Sequence, residues 1–400
     1  MQELKVELVD DDLEEEEAEP ELIPAKISQA VVYATDWTVE TILSQLKQKN
    51  IDMPEFQRRD AWAKRRKSRY IESIILSLPV PQIILAERKT NRGKYLVLDG
   101  KQRLLALRQF VGADEESKNN NFRLQGLEVL RELNGKAFSD IANDSSWAGI
   151  LTQFYNQPIR SVIIRNWPAP SFLHMLFARL NTETLPLSPQ ELRQALFPGD
   201  FVKYADEAAR KSDAIKILLG TDEPDLRMRD VEILVRYIAF ALFLSDHSGN
   251  LKDFLDGTCE KLNKAWSQKE TDIKNQVQEF EAAIDTAVRI FRRDGMGRKW
   301  TEDGFSARLN KAILDVLAFY FSDETIRKTA LDKAEGVLEA FKSLCLESEE
   351  FRNSIETTTK SLGATSTRLS LWGNKLRDTL GLNFQIPTFD GKRIKFSSFW

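Results

Sequence analysis

The residues best placed for chemistry are Asp99-Gly100-Lys101-Gln102-Arg103, where the apolar run Tyr95–Leu98 gives way to a leucine-rich helical pattern. A helix start presents unpaired N–H groups and a partial positive charge, which suit a phosphate. Gly100 lets the backbone turn tightly and approach a ligand closely. Lys101 and Arg103 fall in the first helical turn, where basic side chains oppose the helix dipole unless an anion joins them. Asp99 fits two roles: it caps the helix, or it holds a magnesium ion against bound phosphates. The plain alternative is an ordinary capped junction with Lys101 and Arg103 in water.

A second constellation is PEFQRRDAWAKRRKSR, residues 54–69. Arg58, Arg59, Lys64, Arg65, Arg66, Lys67 and Arg69 outnumber Glu55 and Asp60, and Phe56 and Trp62 interleave them. Arginine forks match phosphates and an aromatic face can stack on a base, so Arg59, Lys64, Arg65, Arg66 and Lys67 are candidate DNA contacts. Charge runs also commonly just face water. A third is FARLNTETLPLSPQELR, residues 177–193, whose Arg179, Asn181 and Thr182 could line a pocket, with Arg193 one turn into the next helix; a plain helix–loop–helix link is the alternative.

Whole-chain properties narrow the classes. Four hundred residues exceed what one core usually serves, so two domains are expected. No stretch reaches the roughly 18 consecutive apolar residues of a membrane helix, and no secretory signal is visible. Cys259 and Cys345 belong to no paired motif, which points to a reduced, cytoplasmic setting. His174 and His247 alone argue against a histidine-based metal site or a His-dependent nuclease. No GxxxxGK[ST] run is present, so a P-loop is excluded. Residues 1–22 hold eleven acids and one lysine, about −10, against a whole-chain net of −4, so the other 378 residues carry +6. Such a like-charge block is expected to be a disordered tail over residues 1–26.

The elements that must position these residues are legible in outline. Residues 28–35 read as a strand, followed by a helix from Val39 capped by Asp36 or Thr38. A helix over Lys64–Leu78 carries the stripe Tyr70, Ile71, Ile74, Ile75 and Leu78, and Pro79 and Pro81 end it. Strands Ile83–Ala86 and Tyr95–Leu98 flank an Asn91-Arg92-Gly93 turn, and Ile159–Arg165 is the last strand. From 169 the pattern turns helical. Ser188-Pro189-Gln190-Glu191 is a helix start in which Ser188 and Glu191 cap each other. Residues 230–245 are apolar nearly all round, residues 273–293 and 307–321 are amphipathic, and Asp390-Gly391 marks a hairpin. The fold expected is α+β: an α/β domain over 27–168, then a mainly helical domain over 169–400 with a C-terminal hairpin.

Four motifs then occur in one order: P-E-F-Q-R…W, S-I-I-L-S-L-P-V-P-Q-I-I-L, L-D-G-K-Q-R-L-L-A-L and F-A-R-L-N-T…L-S-P-Q-E-L-R. Together they resemble the N-terminal, ParB-like domain of GmrSD-type modification-dependent restriction enzymes, over about 28–245. The resemblance implies a ParB/sulfiredoxin-like fold and a nucleoside triphosphate (NTP) site with Mg2+, its hydrolysis linked to DNA restriction in bacterial anti-phage defence. Carried over, Asp99 and Arg103 would be catalytic. Gly100, Lys101, Gln102, Gln57, Arg58 and Asn181 would bind nucleotide, and Asp99 would take the metal. Partners implied are DNA, modified DNA included, and a nuclease subunit, with a homo-oligomer allowed and no membrane. The family usually has Gln where this chain has Lys101, and often two glycines where it has Glu183 and Thr184. The family's partner half carries an H-N-H nuclease, which these residues lack. The alternative is a non-catalytic DNA-binding or regulatory module that recruits a nuclease.

Overall fold

The structure, a computed structural model, describes residues 29–52, 62–89, 91–112, 121–180, 188–357, 359 and 361–397. It is α+β, with a small sheet in the N-terminal part and helices through most of the remainder. The chain divides into two compact units between Leu196 and Phe197. The sequence placed that boundary at 168/169. The helices Pro170–Leu180 and Pro189–Leu196 instead pack on the strand Tyr95–Asp99, so they fall on the N-terminal side.

In the N-terminal unit, β1 (Val31–Thr38) runs into α1 (Val39–Lys47), whose first turn is capped by the Thr38 hydroxyl accepting from Thr41 N at 3.2 Å. Then come β2 (Ile51–Asp52), α2 (Lys64–Ile75), β3 (Ile83–Glu87), β4 (Tyr95–Asp99) and α3 (Lys101–Val111). After α4 (Phe138–Ala142) and α5 (Ala148–Asn156), β5 (Pro158–Arg165) completes the sheet, and α6 (Pro170–Leu180) and α7 (Pro189–Leu196) follow.

The sheet order is β1-β5-β3-β4-β2. β1 pairs antiparallel with β5, β5 parallel with β3, β3 antiparallel with β4, and β4 parallel with β2. A register shift between Ile84 and Leu85 leaves Ile84 opposite Asp99, at the end of the sheet where α3 begins. β3 and the apolar part of β4 are buried on both faces, which their unbroken apolar runs demand; edge strand β1 alternates. α3 is buried from Gln102 to Phe110 and shares one core with Ile42 and Leu46 of α1, Ile71 and Ile74 of α2, and Val97 and Ile163 of the sheet. α2 stops at Ile75 rather than Leu78. The residue before a proline disfavours helix, and the chain has already left it at Ser77, in the left-handed region at φ 55°.

The C-terminal unit contains α8 (Asp200–Lys211), α9 (Asp213–Leu219), α10 (Arg229–Phe243), α11 (Leu251–Gly295), the small ladder of β6 (Trp300–Thr301) with β7 (Gly304–Phe305), α12 (Lys311–Phe321), α13 (Glu324–Asp332), α14 (Ala334–Glu347), α15 (Glu349–Glu356) and α16 (Leu362–Leu380). α10 is buried almost throughout, as its all-round apolar pattern requires. α11 starts well before the amphipathic stretch at 273. Asn250 caps it by accepting from Asp253 N at 3.1 Å, and the i,i+4 pairs Glu260–Lys264 and Glu270–Lys274 support its polar turns. Arg292 interrupts it with φ 59°. The expected hairpin is present as β8 (Thr388–Phe389) and β9 (Ile394–Lys395), its turn held by Asp390 Oδ1 accepting from Lys392 N and Arg393 N at 3.0 and 2.8 Å. Among the described residues no helix is long and apolar enough to cross a membrane.

Candidate functional site

The Asp99–Arg103 junction is built as a tight corner between β4 and α3. Gly100 sits at φ 97°, where an L side chain is strained. A Cβ there would lie 3.0 Å from Ile83 Cγ1 and 3.4 Å from Arg103 Nε. Asp99 does not cap the helix: Gly100 is the N-cap and no side chain closes the first turn. Instead, Arg103 Nη2 donates to Asp99 Oδ2 at 2.5 Å and to Gln82 O at 2.9 Å. The Arg103 side chain is only 5 % exposed, so its charge is not in water. Its Nε is buried with no hydrogen-bond partner among the described residues.

Lys101 also leaves solvent. Its ammonium pairs with Glu191 Oε1 from α7, and both side chains are largely buried. Glu191 has a second task. Its Oε2 accepts from Ser188 N at 2.7 Å while Ser188 Oγ accepts from Glu191 N at 3.1 Å, the reciprocal cap expected from Ser-x-x-Glu. One carboxylate thus starts α7 and ties it to the start of α3. The sequence showed the cap but not the tie, because Lys101 and Glu191 lie far apart in the chain.

The second constellation reaches the same turn. Trp62 N donates to Gln102 Oε1 at 3.2 Å, so the chain entering α2 is fastened to α3 beside Arg103. Tyr70, read from the sequence only as part of an apolar stripe, is buried with its hydroxyl unpartnered among the described residues. Burial pushes the Tyr70 phenol above its ordinary range, against the opposing pull of the Arg103 charge, so it remains a proton donor. On α7, Gln190 and Gln194 are almost wholly buried. Gln190 Oε1 accepts from Arg193 Nη1 at 2.5 Å, whereas its Nε2 and both polar atoms of Gln194 have no partner among the described residues. Buried polar atoms in this state cost free energy, about 1–3 kcal/mol each.

The basic run of α2 divides. Lys64, Arg65 and Arg66 are exposed, with Arg66 stacked 4.6 Å from the Trp62 ring centroid. Lys67 departs from the expected DNA-facing set. It points inward, 4 % exposed, and donates to Gln109 Oε1 of α3 at 2.7 Å, because its position in the helix lies on the core side. Gln57, Arg58, Arg59 and Asn181, and the acidic residues 1–26, lie outside the described residues.

No group of three or more His, Cys, Asp or Glu among the described residues is arranged to hold a metal ion. Asp99 is a single carboxylate with one oxygen given to Arg103. That set fits only a magnesium ion whose other ligands are phosphates and water.

The N-terminal part is thus an α+β unit with a glycine corner and a buried arginine at a helix start. Residues 39–198 match the family described as GmrSD restriction endonuclease, N-terminal domain. No curated protein and no solved structure matches the chain.

Proposed function

We propose that this chain is an NTP-binding and NTP-hydrolysing subunit of a cytoplasmic bacterial DNA restriction or anti-phage system, its N-terminal unit a ParB/sulfiredoxin-like domain. The observation that carries the reading is the buried Nε of Arg103, without a hydrogen-bond partner among the described residues, beside the glycine-opened start of α3, where three sequence motifs meet. Phosphate oxygens would lie on the first-turn N–H groups and the Arg103 guanidinium, and the family resemblance adds Gln57, Arg58 and Asn181 as nucleotide-binding residues. Lys101 would supply charge by dividing its ammonium between Glu191 and the ligand. Asp99 fixes the Arg103 fork and is the carboxylate available to orient water or to meet a Mg2+ arriving with the triphosphate. That ion, when bound, would neutralise charge on the phosphates. DNA would be cut by a partner nuclease carrying the H-N-H chemistry.

Calorimetry with each of the four nucleoside triphosphates tests this. Arg103→Ala is expected to lower affinity at least about tenfold, a loss of about 1.4 kcal/mol, and Arg103→Lys to restore only part of it. Unchanged binding in a variant that melts like the wild type would overturn the assignment. The exposed cations Lys64, Arg65 and Arg66 favour a second reading, a non-catalytic DNA-binding module. Salt-dependent DNA binding without turnover of any nucleotide would select it.

A further inference from the structure

The opposite end of the same sheet carries a different concavity. In the β3–β4 ladder Ile84 faces Asp99 at one end and Glu87 faces Tyr95 at the other. Just past Glu87, a cavity of about 280 Å³ opens among Glu87, Arg88, Lys89, Arg92, Asn166 and Trp167. With Gln29 and Pro168 the lining has eight residues, three of them cations. The one carboxylate is already neutralised: Glu87 Oε2 pairs with Arg165 Nε at 3.0 Å, and Glu87 Oε1 accepts from Gly93 N at 3.0 Å. The cavity is therefore electropositive.

It is also held in shape. Trp167 Nε1 donates to Glu87 O at 2.8 Å, which fixes the indole. Lys89 Nζ lies 4.5 Å over that ring and donates to Pro168 O at 2.6 Å, which leaves it two further N–H donors. Arg92 is exposed on the β3–β4 turn, and its side chain makes no hydrogen bond or ion pair among the described residues. Asn166, in the left-handed region at φ 53°, presents an exposed amide.

We infer that this cavity is a second anion site, separate from the Arg103 junction, and that it takes a phosphodiester of a nucleic-acid backbone. Arginine forks match phosphate oxygens. The Trp167 face in the cavity is covered by Lys89, so no base can stack on it. A site with cations and no base platform positions a backbone without reading sequence. The inference takes the DNA of the proposed function as its ligand but does not depend on the triphosphate site.

Fluorescence anisotropy with fluorescein-labelled DNA duplexes of several sequences, across a salt series, tests it. The pair Lys89→Ala with Arg92→Ala is expected to weaken every duplex alike and to reduce the salt slope by about 2, one for each cation removed from a phosphate. Arg92→Glu alone, at an exposed position, should act in the same direction and leave the melting temperature unchanged. Arg103→Ala should keep wild-type duplex binding, which separates failure of this site from failure of the triphosphate reading. Unchanged duplex affinity and slope in the variants would overturn the inference. So would inorganic phosphate binding that the variants lose while duplex affinity stays intact, or displacement of DNA by poly-glutamate as readily as by unlabelled duplex.

Discussion

Two regions of the molecule bury arginine and lysine beside carboxylates, one at the start of α3 and one inside the helical unit. In the helical unit Arg236 grips Asp315 with two bonds, Nε–Oδ1 at 3.2 Å and Nη2–Oδ2 at 2.6 Å. Arg368 Nη2 lies 3.8 Å from the same carboxylate, and Lys311 Nζ lies 3.1 Å from Glu232 Oε1. These residues sit along α10, α12 and α16 and tie three helices together. At the α3 start both cations occupy the first turn of the helix, where the dipole works against them, as it does against Lys311 at the start of α12. Arg103 keeps its Nε unsatisfied among the described residues, with unpartnered Tyr70 on α2 and Gln194 on α7. Charges that neutralise one another across three helices describe a girder, whereas the two ion pairs at the α3 start tie that turn to its own strand and to α7.

The girder gives way most readily at Asp315. Asp315→Ala leaves Arg236 and Arg368 without their shared carboxylate and should cost about 3–5 kcal/mol in urea unfolding. Replacing Arg236 by Met and Asp315 by Leu together should recover only part of that loss, because Arg368 keeps its buried charge beside the lost carboxylate. A single substitution without effect would mean the network is not structural. Next in size is the Lys101–Glu191 tie. A double-mutant cycle between Lys101→Ala and Glu191→Ala should give a coupling of about 0.5–3 kcal/mol, and zero coupling would leave α7 held by its cap alone. The smallest effect is an exposed reference for both regions. Backbone N–H groups of Arg393 and Lys392, with Lys395, hold the Asp390 carboxyl down to about 2. Its folded value is depressed, so its contribution to the hairpin is present above the unfolded carboxylate range and is lost as pH falls through about 2. Carboxyl chemical shifts followed through an acid titration check this, and a midpoint near the ordinary value would refute it.

Much of the frame was legible because its signals are short-range. The Thr38 cap, the Ser188–Glu191 cap, the paired runs of β3 and β4 and the Asp390-Gly391 turn all depend on residues a few positions apart. The full extent of α11 was not legible, since its first half is too polar to show an apolar face and is carried by its cap and i,i+4 charge pairs. Lys67 looked like its exposed neighbours Lys64–Arg66, and only the packing of α2 on α3 turned it inward.

Local sequence dictated the α+β class, the glycine corner after Asp99 and the order of the motifs, because strand period, helix period and capping are set within a turn or two of chain. Packing in three dimensions decided that Lys101 answers Glu191, that Lys67 meets Gln109, and that the β3–β4 turn shares a cavity with Trp167. Such partnerships join residues whose distance in space is set by how sheet and helices pack, and no local spacing records it.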